Sequence, residues 1–587
     1  MAQLFAGRAP TEVEYDRLRS EGPKALTALS AEWVQAPAFG DRLRTIFNDV
    51  LHVSAANPSS GIALNRLLSA RDFPKREWHL EPDLPQVDQV SGRSNRLCNE
   101  YGFIEGTLRR IAAQASSSDS VVRLFQGEVI FVNQCSARAL GIEDALKWPE
   151  KGDSEFFLPF DVAAFRKESP DHSISRLRFS GLLTDFAFLH RYPYTVGNAH
   201  RSRAQVVLKH FLGVDVASLP VPPNGDNELS ARPTLDDERC VSCHKILDPV
   251  ANLFHNFSSR ETARRPRAPL TELWPLGLLG QSYRAPMQNE TVDAAPPPLG
   301  DEPLVWLGEK LASLPQFYES MVTLVWRGLT GQEFTPGAAK RAEMAARWRN
   351  EGASLRRLAV LLAELPDFHA RDALGAAAQD LAKRGFAPQQ FVAVNELQDR
   401  LLHALGLSGS GALATAFRQD MQGLTVPLGG IDHIQVTTRL KDPSPVWAAS
   451  MQWIAARWAC VFADQTSAAA TIDLGDVSQD NANTARMSEI LLGAYRNSFA
   501  PSVSKLFAMA TGRPPSQQEV DVLAELFRSS LSETLGQWQQ SPDALLARCQ
   551  APGSADPATL SLGQQLVRPG LTAAALFVLL HDEVALR

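Results

Sequence analysis

Five residues constrain this chain more than any others: Cys240-Val241-Ser242-Cys243-His244. Two thiols three positions apart can add to the vinyl groups on one edge of a haem, and the adjacent histidine is then placed under the iron, where imidazole is a good ligand. A C-x-x-C pair also serves zinc knuckles and thioredoxin-like redox centres. Zinc needs two more ligands at similar spacing, and the chain has no second C-x-x-C and no H-x-x-x-H. A thioredoxin motif opens a helix after a buried strand, whereas the residues before Cys240, ARPTLDDER, read as a polar loop. The string therefore predicts one covalent haem c on Cys240 and Cys243, with His244 as the proximal iron ligand.

Downstream, Ile246, Leu247, Val250, Leu253, Phe254 and Phe257 suit a helix laid against an apolar macrocycle. Proline has no N–H to donate, so Asp248-Pro249 should break or kink that helix. Asp248 has two readings. A carboxylate or a carbonyl at the break could accept the Nδ1 proton of His244 and fix its tautomer, or Asp248 could cap the next helical turn.

The ligand on the opposite iron face separates an electron carrier from an enzyme. Met287 lies in an irregular Pro-rich stretch downstream of the motif, where single-haem carriers commonly place a thioether that raises the potential. His190, His200 and His210 are rival ligands, and His255 is too close in sequence to His244 to reach that face easily. An open face would instead suit a peroxidase or oxidase, for which His200 and Arg201 are the candidate distal acid–base residues.

Four cysteines remain, Cys98, Cys135, Cys460 and Cys549. In an oxidising compartment Cys98 with Cys135 and Cys460 with Cys549 would pair; the alternative is four buried thiols. Haem attachment of this kind takes place outside the cytoplasm, at a periplasmic or cell-surface address. The first thirty residues carry no apolar signal-peptide core, so a leader is expected to have been removed.

The chain has 587 residues, which suggests three to five domains. Its 44% hydrophobic and 21% charged residues are those of a globular protein, and no apolar run is long enough for a membrane span. The net charge of −7 is not gathered into a run, and no basic cluster points to a nucleic-acid partner. Periodicity is mostly helical, including Leu304–Val325, Pro445–Phe462 and Met487–Ser498, with a strand signal only around 120–132. This predicts a mainly α fold of helical bundles around one haem segment. Its divisions fall at 1–95, 96–215, 216–303 (the haem segment with its Pro-rich loop), 304–375 and 390–587. A helical hairpin recurs. Gly7-Arg8-Ala9-Pro10-Thr11 with Glu14 matches Gly512-Arg513-Pro514-Pro515-Ser516 with Glu519, and a looser copy spans Trp326 to Lys340. Second helices follow at Leu26 to Phe39, Leu571 to Val584 and Leu355 to Phe368. The turn Gly429-Gly430-Ile431-Asp432-His433 reads as an ordinary turn before it reads as a site.

Several spaced motifs occur in order: GLLTDFAFLHR (181–191), NAHRSR (198–203), Phe211-Leu212-Gly213 and CVSCHKILDP (240–249). Together they resemble the planctomycete-type cytochrome c domain proteins, best between about 100 and 340. The chain departs from the pattern at Val250-Ala251-Asn252, where the family often has a glycine. The resemblance implies an exported, helical, haem-bearing protein and no particular reaction. The motifs point first to an electron-transfer cytochrome with a redox protein partner, within a larger assembly. The alternatives are a haem enzyme with an open distal site, or an interaction protein in which haem is a folding staple.

Overall fold

The structure, a computed structural model, describes residues 2–8, 10–55, 71–192, 200–219, 238–254, 283–284, 291–292, 303–369, 394–407, 411–428, 430–431, 436, 444–469, 471–472, 474, 484–511, 513–541 and 560–581. The fold is mainly α, as the periodicity implies. No helix among the described residues is long and apolar enough to cross a membrane. The chain divides into two compact units, one contiguous (Val34–His369) and one built from both ends (Met1–Trp33 with Ala370–Arg587). Residues 1–95, read as one segment from the sequence, are therefore shared between them. The reason is local. The expected helix Leu26 to Phe39 is two helices, Pro23–Trp33 and Pro37–Leu51, separated where Ala36 turns extended ahead of Pro37.

In the contiguous unit, the helix Asn95–Ala115 is capped by the Ser94 hydroxyl and buries Cys98, Phe103, Ile104, Leu108 and Ile111. Two of its glycines admit a neighbour. A methyl group on Gly106 would lie 2.2 Å from the Phe131 carbonyl, and one on Gly102 would lie 2.1 Å from Asn133 Oδ1. Asn133 caps the next helix, Gln134–Leu140, and its amide donates to the Cys98 and Ser154 carbonyls at 3.1 and 3.2 Å. The expected disulfide Cys98–Cys135 joins these two helices, with Cα atoms 5.8 Å apart. Only Val129–Val132 of the expected strand region is a strand, because Arg123–Gln126 forms a helical turn ahead of it. Its antiparallel partner, Leu158–Asp161, escaped sequence reading because a proline interrupts a very short run. The expected helix Leu304–Val325 is also two, Pro303–Ser313 and Pro315–Thr330, divided at the extended Leu314 before Pro315.

In the other unit the helix Pro445–Ala468 packs along Leu562–Leu579 over a core containing Phe417, Trp458, Phe507, Phe527 and Leu571. Asp464 and Arg568 form a buried ion pair between those two helices. Cys460 is disulfide-bonded; its expected partner, Cys549, lies outside the described residues. So do Gly429, Asp432 and His433 of the 429–433 turn.

The hairpin repeat reaches atomic detail. Arg8 grips Glu14 with two bonds of 2.8 Å, Glu14 accepts from the Thr11 amide at 2.6 Å, and the Trp33 indole donates to the same carboxylate at 2.8 Å. In the last copy Arg513 grips Glu519 at 2.8 and 2.6 Å, the Ser516 amide donates at 2.6 Å, and His581 stands in the place of the tryptophan at 3.1 Å. Both glutamates thus serve at once as half of a capping box, as an arginine partner and as an anchor for the following helix. The looser copy keeps the helix order but starts Ala338–Asn350 at Gly337 without a side-chain cap.

The Arg8 clamp holds the Glu14 carboxyl down at about 2, and Arg513 likewise holds Glu519 below the usual carboxylate range. A carboxyl depressed on folding stabilises the fold above its unfolded value and loses that contribution as pH falls through its folded one. Glu14→Gln should therefore cost about 2 kcal/mol at neutral pH, the scale of a charged hydrogen bond. The gap between wild type and variant should stay level down to about pH 5 and close towards pH 2. Urea titrations across that range measure it, and a gap undiminished at pH 3 contradicts the account.

Candidate haem site

The motif lies in the helix Glu238–Asn252, which runs through Pro249 without ending there, so of the break or kink expected at Asp248-Pro249 the break does not occur. Pro249 stands near the C-terminal end, where only the bond to the Lys245 carbonyl is forgone. Positions 240, 243 and 244 share one helix face by spacing. Cys240, Cys243 and His244 are half-buried, and neither cysteine is in a disulfide. The Cys243 thiol points at the Val216 carbonyl, 3.6 Å away. Around it lies a small apolar cluster of Leu208, Val214, Val216 and Ile246, with Leu212, Leu247 and Val250 against it.

Asp248 settles between its two readings. Its carboxylate oxygens both lie 3.1 Å from His244 Nδ1, one helical turn back. The side chain makes no cap. It is instead met from the other side by Arg201, whose Nε and Nη2 donate to the two oxygens at 2.6 and 2.9 Å. Asp248 is 3% exposed, so its charge relies on that fork. An acceptor at Nδ1 places the imidazole proton there and leaves the Nε2 lone pair as the ligating position.

Arg201 begins the helix Arg201–Phe211, which packs on the motif helix. The chain enters it through His200, whose φ of 71° lies in the left-handed region. Arg203, 0% exposed, holds that entry in place. It donates to the Leu189 and Tyr192 carbonyls at 2.7 and 2.6 Å and meets His200 Nδ1 at 3.0 Å, while burial pulls its guanidinium down to about 9. Those carbonyls end the helix Phe186–Arg191, whose N-terminus is capped by Asp185, itself bonded to Thr107. Upstream, Gly181 has a φ of 56°, and a side chain there would lie 1.8 Å from the Leu124 carbonyl. The run from Gly181 to Arg203 is thus the scaffold that aims Arg201 at Asp248.

This geometry corrects one expectation. Arg201, a candidate distal acid–base residue with His200 by sequence, stands instead behind Asp248, on the Nδ1 side of His244. His200 is buried against Arg203. His210 lies roughly 13 Å further along its helix than Arg201, at 1.5 Å per residue, and burial first, then Lys209, pulls its imidazole down to about 4. His190 is buried within its short helix. Met287 and His255 lie outside the described residues. Sequence reading missed the bond between Arg201 and Asp248, 47 positions apart. The one signal that could have found it is the joint presence of R-x-R and D-P.

The residues fit a covalent haem: two thiols outside any disulfide, an imidazole oriented through Nδ1, and an apolar surface beside Cys243. Among the described residues, no group of three or more His, Cys, Asp and Glu side chains is gathered to hold a bare metal ion. Comparisons with protein-family models, with curated proteins and with solved structures found no match.

Proposed function

We propose that this chain is an extracytoplasmic electron-transfer cytochrome of the planctomycete-type cytochrome c domain class, with one haem c on Cys240 and Cys243. The observation that carries the reading is the buried Asp248 carboxylate on His244 Nδ1, the arrangement that directs a histidine's other nitrogen to a metal. The disulfides support the address, because such bonds persist in oxidising compartments. When bound, the haem iron would accept and release one electron. Cys240 and Cys243 would hold it as thioethers, His244 would ligate through Nε2, and the Val216 and Ile246 surface would keep water from its edge. The partner is a redox protein. The enzyme alternative loses its two candidate distal residues, since Arg201 and His200 are bonded elsewhere.

Expressed with an export leader and a haem-ligation system, the protein should keep its colour through acid–acetone extraction. Alkylation of denatured protein should label Cys240 and Cys243 when haem is absent and neither when it is present. Cys240→Ala with Cys243→Ala should remove covalent haem altogether. Colourless wild-type protein after extraction refutes the proposal.

A further inference from the structure

We infer that Arg201 is a positioning residue that sets the reduction potential of the iron, acting through Asp248 on His244; this rests on the haem reading above. A carboxylate on the Nδ1 proton makes a histidine more electron-rich and so favours ferric iron. The strength of that pull depends on what else the carboxylate serves. Here both Asp248 oxygens are already engaged by the Arg201 fork at 2.6 and 2.9 Å, shorter than either contact to Nδ1 at 3.1 Å. The guanidinium takes the larger share of the carboxylate's basicity and leaves His244 with a tempered partner. Arg201 comes from a separate helix whose entry is fixed by buried Arg203. The tempering is therefore built into the packing of two helices.

The two ends of this relay should move the iron in opposite directions. Asp248→Asn removes the pull and should shift the equilibrium towards ferrous at least tenfold, about 59 mV for a one-electron couple. Arg201→Gln leaves the carboxylate to His244 alone and should shift it towards ferric. Arg201→Lys keeps the charge without the fork and should fall between Arg201→Gln and wild type. In the double variant, which also removes the unmatched charge should either single change fold poorly, the potential should follow Asp248→Asn, because Arg201 has lost its route to the imidazole. Spectroelectrochemical titration of the haem-loaded protein reads all four. Absence of covalent haem in the wild type overturns the functional reading and this inference with it. Covalent haem with both single variants moving the same way, or with Arg201→Gln acting as strongly without Asp248 as with it, overturns the inference alone.

Discussion

Arg203→Ala should lower the stability of the Val34–His369 unit by about 4 kcal/mol, combining the cavity of a long side chain with acceptors left unpaired. The guanidinium is wholly buried, and the Leu189 and Tyr192 carbonyls and His200 Nδ1 that it meets close the end of one helix and the start of the next. Part of the loss is offset because a buried charge no longer has to be kept from water. The Leu189 and Tyr192 carbonyls cannot follow the missing donor, since both end a helix already packed on its neighbours. Loosening of the His200 entry should also release Arg201 from Asp248, so haem-loaded variant protein should show a ferric-shifted potential like that of Arg201→Gln. Denaturant unfolding measures the first effect. A loss under about 1 kcal/mol, the net worth of one hydrogen bond, sinks this account of the residue.

Removing the Cys98–Cys135 bond should cost nearly as much. It closes a loop of 37 residues, for which the chain-entropy model gives about 4 kcal/mol. Both cysteines are buried, at 1% and 0% exposure, so the paired alanine variant adds little new cavity beyond the sulfur atoms themselves. The bond also holds the glycine-lined face of Asn95–Ala115 against Asn133 and Phe131. The expected result is a marked fall in unfolding midpoint with native helix content at low denaturant. Reductant should act on the native protein only slowly, because the bond must first be exposed. Equal midpoints for wild type and Cys98→Ala with Cys135→Ala contradict the assignment.

What the sequence disclosed follows how local each interaction is. The clamps Arg8–Glu14 and Arg513–Glu519 span six residues beside a capping signal; recurrence marked their residues, and the pairing itself appears only in the structure. Their third members, Trp33 at the end of one following helix and His581 just past the end of the other, left no sequence trace. The link from His244 to Asp248 is one helical turn, so it stood among two readings. The arginine that completes it arrives from another helix, and an arginine next to a histidine near a haem motif reads as chemistry before it reads as support. Pro37 and Pro315 lie inside stretches whose apolar periodicity reads as one helix, and the structure breaks the helix at each. At Pro249 the helix does not break, because a helix that is about to end loses little by carrying a proline.

The unit assembled from both chain ends has a consequence for the order in which the protein can be made. Residues 1–33 leave the ribosome before the rest of this chain, yet the helices that share their unit begin beyond residue 370. At 5–20 residues per second the wait is on the order of tens of seconds. Throughout it Phe5, Leu29 and Trp33, all buried in the finished protein, have no finished unit to enter. The motif-bearing unit, being contiguous, can close within that interval. The contiguous unit that carries the Cys240–His244 motif can thus be complete before the helices of residues 1–33 have found their place, and those helices are where a chaperone is most needed.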